Sequence, residues 1–218
     1  MNTPMLYSPL FFLCLSLLVP FVFSRQFPTS PPVVDADGKE LKLNAAYYAI
    51  SAAFFHLEGL CLVNVNNNEP KAHPHDVVQC NSTKSKEAVN AFPVIFSAVD
   101  DTEDPIVREN VSYTVKFSVN RNVSNETVWT FGEAHNPLQK FVTTNPKGPA
   151  IQFQAQKVGF GYKIVHCVVI PIPRTPVCYN IGFIPDFGYN RLGIGLGLEP
   201  VKFFFKNNVT AVNNTATY

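Results

Sequence analysis

The chain has 218 residues, of which 46% are hydrophobic and 15% charged, and its formal net charge is +1. A balance this close to neutral, with no stripe of Lys and Arg interleaved with aromatics, speaks against nucleic acid and anionic membrane as partners.

Residues 1–24 carry no charged side chain, and from Leu10 to Phe23 they are apolar except for Ser16 and Pro20. This reads as a secretory signal peptide cut between Ser24 and Arg25, although the usual positive charges before the apolar core are missing. A domain over 25–206 is expected next, followed by a polar Asn/Thr-rich tail at 207–218. No later apolar run reaches the roughly 20 residues of a membrane helix, so the expectation is a soluble, monomeric protein that is secreted or vacuolar.

After a Pro-rich lead at 27–32 come short apolar, β-branched runs. Candidate strands are 47–54, 60–65, 76–79, 92–97, 113–118, 127–131, 140–144, 151–154, 162–170, 180–184, 191–198 and 201–205. Turn chemistry separates them: Asn66-Asn67-Asn68-Glu69-Pro70, Asn136-Pro137 and Asn145-Pro146-Lys147-Gly148-Pro149. With no long 3.6-residue period, the pattern predicts an all-β barrel or sandwich without helices. In 191–198, Leu192, Ile194, Leu196 and Leu198 alternate with Gly193, Gly195 and Gly197. That pattern predicts a strand packed on one face and crowded on the other, not a phosphate-binding loop.

Cys14 leaves with the signal peptide, and Cys61, Cys80, Cys167 and Cys178 remain. An even count in the secretory pathway, without C-x-x-C, reads as two disulfides. Three pairings are open; the local one, Cys61 with Cys80 and Cys167 with Cys178, is the simplest, each bridge contributing about 2–4 kcal/mol. Sequons at Asn81, Asn110, Asn122, Asn125, Asn208 and Asn213 predict glycosylated surface loops.

Catalytic signatures are missing: no G-x-S-x-G, no H-E-x-x-H and no P-loop, so neither an enzyme nor a cofactor is expected. His73-Pro74-His75 has no third ligand at a telling spacing, and the run Asp100, Asp101, Glu103, Asp104 lacks the Gly and distal Glu of a calcium loop, so no metal is expected either.

Val33-Val34-Asp35-Ala36-Asp37-Gly38-Lys39-Glu40-Leu41, followed after five residues by Tyr47-Tyr48, resembles the mature N-terminal signature of the plant Kunitz inhibitors of the soybean trypsin inhibitor type. It departs where Ala49 replaces a larger aliphatic. Further blocks agree in order, among them Asp76-Val77-Val78-Gln79, Pro93-Val94-Ile95-Phe96-Ser97, Thr127-Val128-Trp129, Tyr162-Lys163-Ile164-Val165-His166-Cys167 and Pro200-Val201-Lys202-Phe203-Phe204-Phe205. The resemblance spans nearly the whole mature chain. It implies a β-trefoil of twelve strands in three similar units, with a role in plant defence as a protease inhibitor. Serine proteases are the commonest targets in that family, and cysteine or aspartic proteases are others. A storage or ligand-binding role on the same scaffold is the alternative.

Two departures bear on the bridges. The family's Cys before the Asp76 block is His73 here, and its partner is missing around Asn122 to Asn125. Cys61 and Cys80 would form a replacement, whereas Cys167 and Cys178 match the family's second bridge.

The resemblance also implies that the loop before Val115-Lys116-Phe117 enters a protease cleft like a substrate. The candidate reactive residues are then Asp101, Thr102, Glu103, Asp104 and Pro105, with the central position at Glu103 or Asp104. Trypsin's specificity pocket is anionic, so an acidic residue there opposes trypsin binding. A second candidate loop lies between Cys167 and Cys178, around Pro173, Arg174 and Thr175, stiffened by three prolines. Its simpler reading is a hairpin connection.

Overall fold

The computed structural model describes residues 30–53, 56–65, 75–80, 91–119, 127–134, 136–144 and 149–207. His73 and the sequons at Asn81, Asn122, Asn125, Asn208 and Asn213 lie outside the described residues.

The elements, all strands, are β1 (Ala46–Ala53), β2 (His56–Glu58), β3 (Leu60–Val63), β4 (Asp76–Gln79), β5 (Val94–Ala98), β6 (Tyr113–Phe117), β7 (Trp129–Glu133), β8 (Gln139–Thr144), β9 (Gln152–Val158), β10 (Gly161–Pro171), β11 (Arg174–Asp186), β12 (Tyr189–Gly195) and β13 (Lys202–Asn207). Each of the twelve expected strands has a counterpart. The addition is β2, a three-residue strand folded back on the end of β1 through Ser51↔Glu58.

Period-2 burial sets which side chains point inward. In β6, Tyr113, Val115 and Phe117 are buried while Thr114 and Lys116 are not. The strands β1, β5, β6, β9, β10 and β13 pair in a closed ring, completed by Tyr162↔Phe203 between β10 and β13 and by Ile50↔Phe204 between β13 and β1. Across one end lie three hairpins, β3–β4, β7–β8 and β11–β12. They meet in a triangle through Arg191↔Val78, Asp76↔Thr143 and Gly193↔Phe141. Barrel strand, hairpin and returning barrel strand thus recur three times, which is a β-trefoil.

The core is aromatic. Trp129 is fully buried, 5.7 Å centroid to centroid from Phe117 and 5.5 Å from Phe153. Nearer the other end, Phe96 stands edge-on to Phe205 at 5.4 Å and to Tyr113 at 6.3 Å. Each such ring contributes about 1.5–3 kcal/mol by burial. Among the hairpins a buried ionic cluster replaces apolar packing. Asp76 accepts from Arg191 Nη2 at 2.6 Å and from the Val65 amide at 2.9 Å. Asp186 accepts from Arg191 Nη1 at 2.8 Å, and the guanidinium lies 3.6 Å over the Phe141 ring. Removing Arg191 would strip both carboxylates of the guanidinium they share, so the cluster ties β4 to β12.

The structure joins Cys61 to Cys80 and Cys167 to Cys178, with Cα–Cα separations of 5.2 and 4.0 Å. One expectation needs correcting. The strand expected to run to residue 198 stops at Gly195, because Gly197 turns the chain at φ +69° and leaves Leu196 on the surface. Between Cys167 and Cys178 the chain forms the hairpin connection of the simpler reading: β10 and β11 pair from Val165↔Asn180 out to Pro171↔Arg174, leaving a two-residue turn at Ile172 and Pro173.

Gly193 is there for space. A Cβ would stand 2.6 Å from the Lys140 carbonyl oxygen and 2.8 Å from Ile184 Cδ1, where the hairpins touch. Gly193→Ala should therefore destabilise by about 1–3 kcal/mol, read as a lower urea midpoint with an unchanged slope; an unchanged midpoint would mean that the hairpins have slack at this contact.

Candidate functional site

The segment 99–112 links β5 to β6, and the sequence ahead of the barrel determines its shape. Residues 33–41 fold into a small hairpin. The Asp35 carboxylate accepts the amides of Asp37 and Lys39, both at 2.9 Å, and Gly38 adopts φ +78°. That is the local chemistry behind the Asp-Ala-Asp-Gly motif.

This hairpin grips the second half of the 99–112 segment from both sides. The Val107 amide donates to Leu41 O, and Val107 O accepts from Val33, each at 2.8 Å. Pro105 O accepts the Leu43 amide at 2.7 Å, and Glu109 donates to Pro31 O at 2.8 Å. Val33, Leu41 and Val107 are all fully buried and join the core. The first half is held at its base, where the Asn44 amide donates to Phe96 O at 2.9 Å and Ser97 Oγ donates to Asn44 Oδ1 at 2.8 Å.

Between these grips Asp104 turns inward. One carboxylate oxygen pairs with Arg108 Nε, and the other accepts the Ile106 amide at 3.1 Å. Its own amide donates to Thr102 Oγ1 at 3.2 Å. Arg108 reaches on to Ser30 O at 3.1 Å, and its amide donates to the Tyr113 hydroxyl at 2.8 Å. Asp104 and Pro105 are thus the anchored end of the candidate loop. Asp100, Asp101, Thr102 and Glu103 are exposed and form its tip. Of the two central positions expected from sequence, Glu103 lies on the surface and Asp104 serves the scaffold. The signal for that division was the Asp104/Arg108 spacing of four with Thr102 two residues earlier, which composition alone does not single out.

Burial pushes the Tyr113 phenol above its ordinary value of 10.0, the Asp104 charge adds to this, and the amide and guanidinium of Arg108 oppose it. Asp100, Thr102, Asp104 and Ile106, together with Val111, Tyr113 and Gln152, line a cleft beside the tip.

In the second candidate loop, Pro173, Arg174 and Thr175 are all exposed at the head of the β10–β11 ribbon, closed at its base by Cys167–Cys178. Of the sequons, Asn110 is exposed in the turn before β6, with φ +59° and its amide on Ala155 O.

Residues 33–207 match the family model described as trypsin and protease inhibitor of the legume Kunitz type. The chain is similar to a latex serine proteinase inhibitor of Carica papaya, at 30% identity over 164 residues covering 71% of this chain and 85% of the relative. It is also similar to aspartic protease inhibitor 1 of Solanum tuberosum, at 28% identity covering 90% and 97%. Among solved structures, the Kunitz-type cysteine protease inhibitor PCPI-3 from potato superposes with a TM-score of 0.64 at 29% identity, covering 82% of this chain and 98% of that one.

Asp104→Ala should cost about 1–3 kcal/mol by removing a partly buried charge-assisted pair, and it should speed hydrogen exchange at Ile106. Unchanged exchange there would mean that the pair does not fasten the loop. The fold favours the neutral Tyr113 phenol, so its stabilisation is fully present below pH 10 and is lost as pH rises through the raised value. Tyrosinate absorbance should show a late-titrating phase that Tyr113→Phe removes; a phase that survives the substitution belongs to another tyrosine.

Proposed function

The chain belongs to the plant Kunitz family of trypsin and protease inhibitors, and from that premise we propose that it binds a protease through the tip of the 99–112 segment. It is an inhibitor, not an enzyme. The observation that supports this site is an exposed tip at Asp100 to Glu103 held between two sets of hydrogen bonds, so that little ordering entropy is lost when a cleft closes over it.

The same tip argues about the target. Its carboxylates Asp100, Asp101 and Glu103 would meet like charge in an anionic specificity pocket, so a protease with a neutral or cationic cleft fits better than trypsin. Relatives named for serine, cysteine and aspartic proteases share this scaffold, which leaves the choice to the tip. Export through residues 1–24 and glycosylation, with Asn110 the described acceptor, belong to the same reading of a defence protein outside the cytosol.

Glu103→Arg should create trypsin inhibition, because it exchanges repulsion for a charge-assisted contact; a gain of about a hundredfold corresponds to ~2.7 kcal/mol. Titration against trypsin beside the unmodified protein measures it. A folded variant that gains nothing would show that the tip is not presented to a protease, and a storage or ligand-binding role would then account better for the chain.

A further inference from the structure

The β10–β11 ribbon plays no part in the site above, and its surface is unlike the rest of the barrel. Val169 is 67% exposed and Ile172 87%, with Val168 and Ile170 at 36% and 41%. Cross-strand register puts Cys167, Val169 and Pro171 on one face and His166, Val168 and Ile170 on the other. The second face looks across a groove of Phe131, Leu138, Ile194 and Leu196. A contiguous exposed apolar surface of this kind marks a contact site.

The backbone is equally open. β9 stops pairing with β10 at Val165↔Gln154, and β12 takes up β11 only from Ile181, so among the described residues no strand covers either edge of the ribbon beyond those points. Pro176 blunts the β11 edge, whereas Cys167 to Ile170 on the β10 edge contain no proline. That edge is extended already, braced by its cross-strand partners and by the Cys167–Cys178 bridge.

We propose that residues 167–171 are a second protease-binding arm, entering the cleft of a serine endopeptidase with an aliphatic specificity pocket while the tip at 99–103 holds a different protease. The proposal rests on the reading of the chain as a protease inhibitor. A protease cleft takes its substrate as an added strand, with backbone hydrogen bonds giving affinity and alternate side chains filling pockets. The ribbon offers such a strand with its ordering cost already met.

Charge separates the two arms. No carboxylate lies between Gly161 and Pro185, and the ribbon's charged side chain beyond the bridge is Arg174, so it suits clefts that the acidic tip repels. Geometry separates them too. The Tyr162 hydroxyl accepts the Val34 amide at 3.0 Å, at the end of the barrel where Val33 grips Val107. From Tyr162 to Ile172 the strand covers ten residues at about 3.3 Å each, which places the ribbon head roughly 30 Å from that end.

The test uses pancreatic elastase as probe, with the unmodified protein, Val169→Asp, Val169→Ala and Glu103→Arg. The unmodified protein and Glu103→Arg should inhibit elastase alike, Val169→Ala should weaken inhibition several-fold, and Val169→Asp should weaken it at least a hundredfold, both Val169 variants keeping the native circular dichroism. Sedimentation of Glu103→Arg with both enzymes should give one complex holding trypsin and elastase together. Lack of elastase inhibition by the unmodified protein, indifference to Val169→Asp, or mutual exclusion of the two enzymes would each overturn the second arm. Elastase inhibition that needs Val169, beside a Glu103→Arg variant inert toward trypsin, would support the ribbon and refute the tip.

Discussion

Barrel closure is the constraint on which every contact surface of this molecule depends. Without Tyr162↔Phe203 and its neighbours the six barrel strands would form an open sheet with two long edges, and the aromatic column from Trp129 to Phe205 would face solvent on one side. Closing the ring fixes where each connection leaves. The turn between β5 and β6 is brought to the end filled by Val33, Leu41 and Val107, and β10 runs on beside the hairpins, where Val168 shares a groove with Leu138, Ile194 and Leu196. The triangle of hairpins, held by Arg191 between Asp76 and Asp186, seals that second end.

Within this frame the 99–112 segment is divided by its own sequence. From Pro105 onward it behaves as part of a small sheet, donating to and accepting from the 31–43 region on both sides. Asp104 marks the boundary, its carboxylate spent on Arg108 and the Ile106 amide. The exposed acids before it are therefore carried on a rigid base, and rigidity is what separates a protease inhibitor from a substrate of similar sequence: the bound shape exists before the encounter. On the proposed reading their charge would filter which cleft can close over them.

Much of the architecture was legible from residue order. Short β-branched runs set apart by turn chemistry gave twelve of the strands, and the Asp35 to Gly38 motif, read only as part of a family signature, forms a turn through a carboxylate cap and one positive φ. Less legible were features that depend on distant partners. Prolines at 171, 173 and 176 hid how far the ribbon's pairing runs, since a proline reads as a break unless the pairing that tolerates it is known. Gly193 and Gly197 look alike in sequence, yet one yields to the Lys140 carbonyl and the other bends the chain. The inward turn of Asp104 was hidden for the same reason: four acids in a short run look equivalent until the anchors of one of them are placed.

Hydrogen–deuterium exchange of the free protein, and of its complex with a protease that it inhibits, tests the central claim most directly, because it reads contact and preorganisation in one experiment. If the 99–112 segment is a prebuilt contact, the amides of 106–109 exchange slowly in the free protein and do not change, while those of 99–103 exchange fast when free and become protected in the complex. Fast exchange at 106–109 in the free protein, or protection on binding that leaves 99–103 untouched, would contradict it.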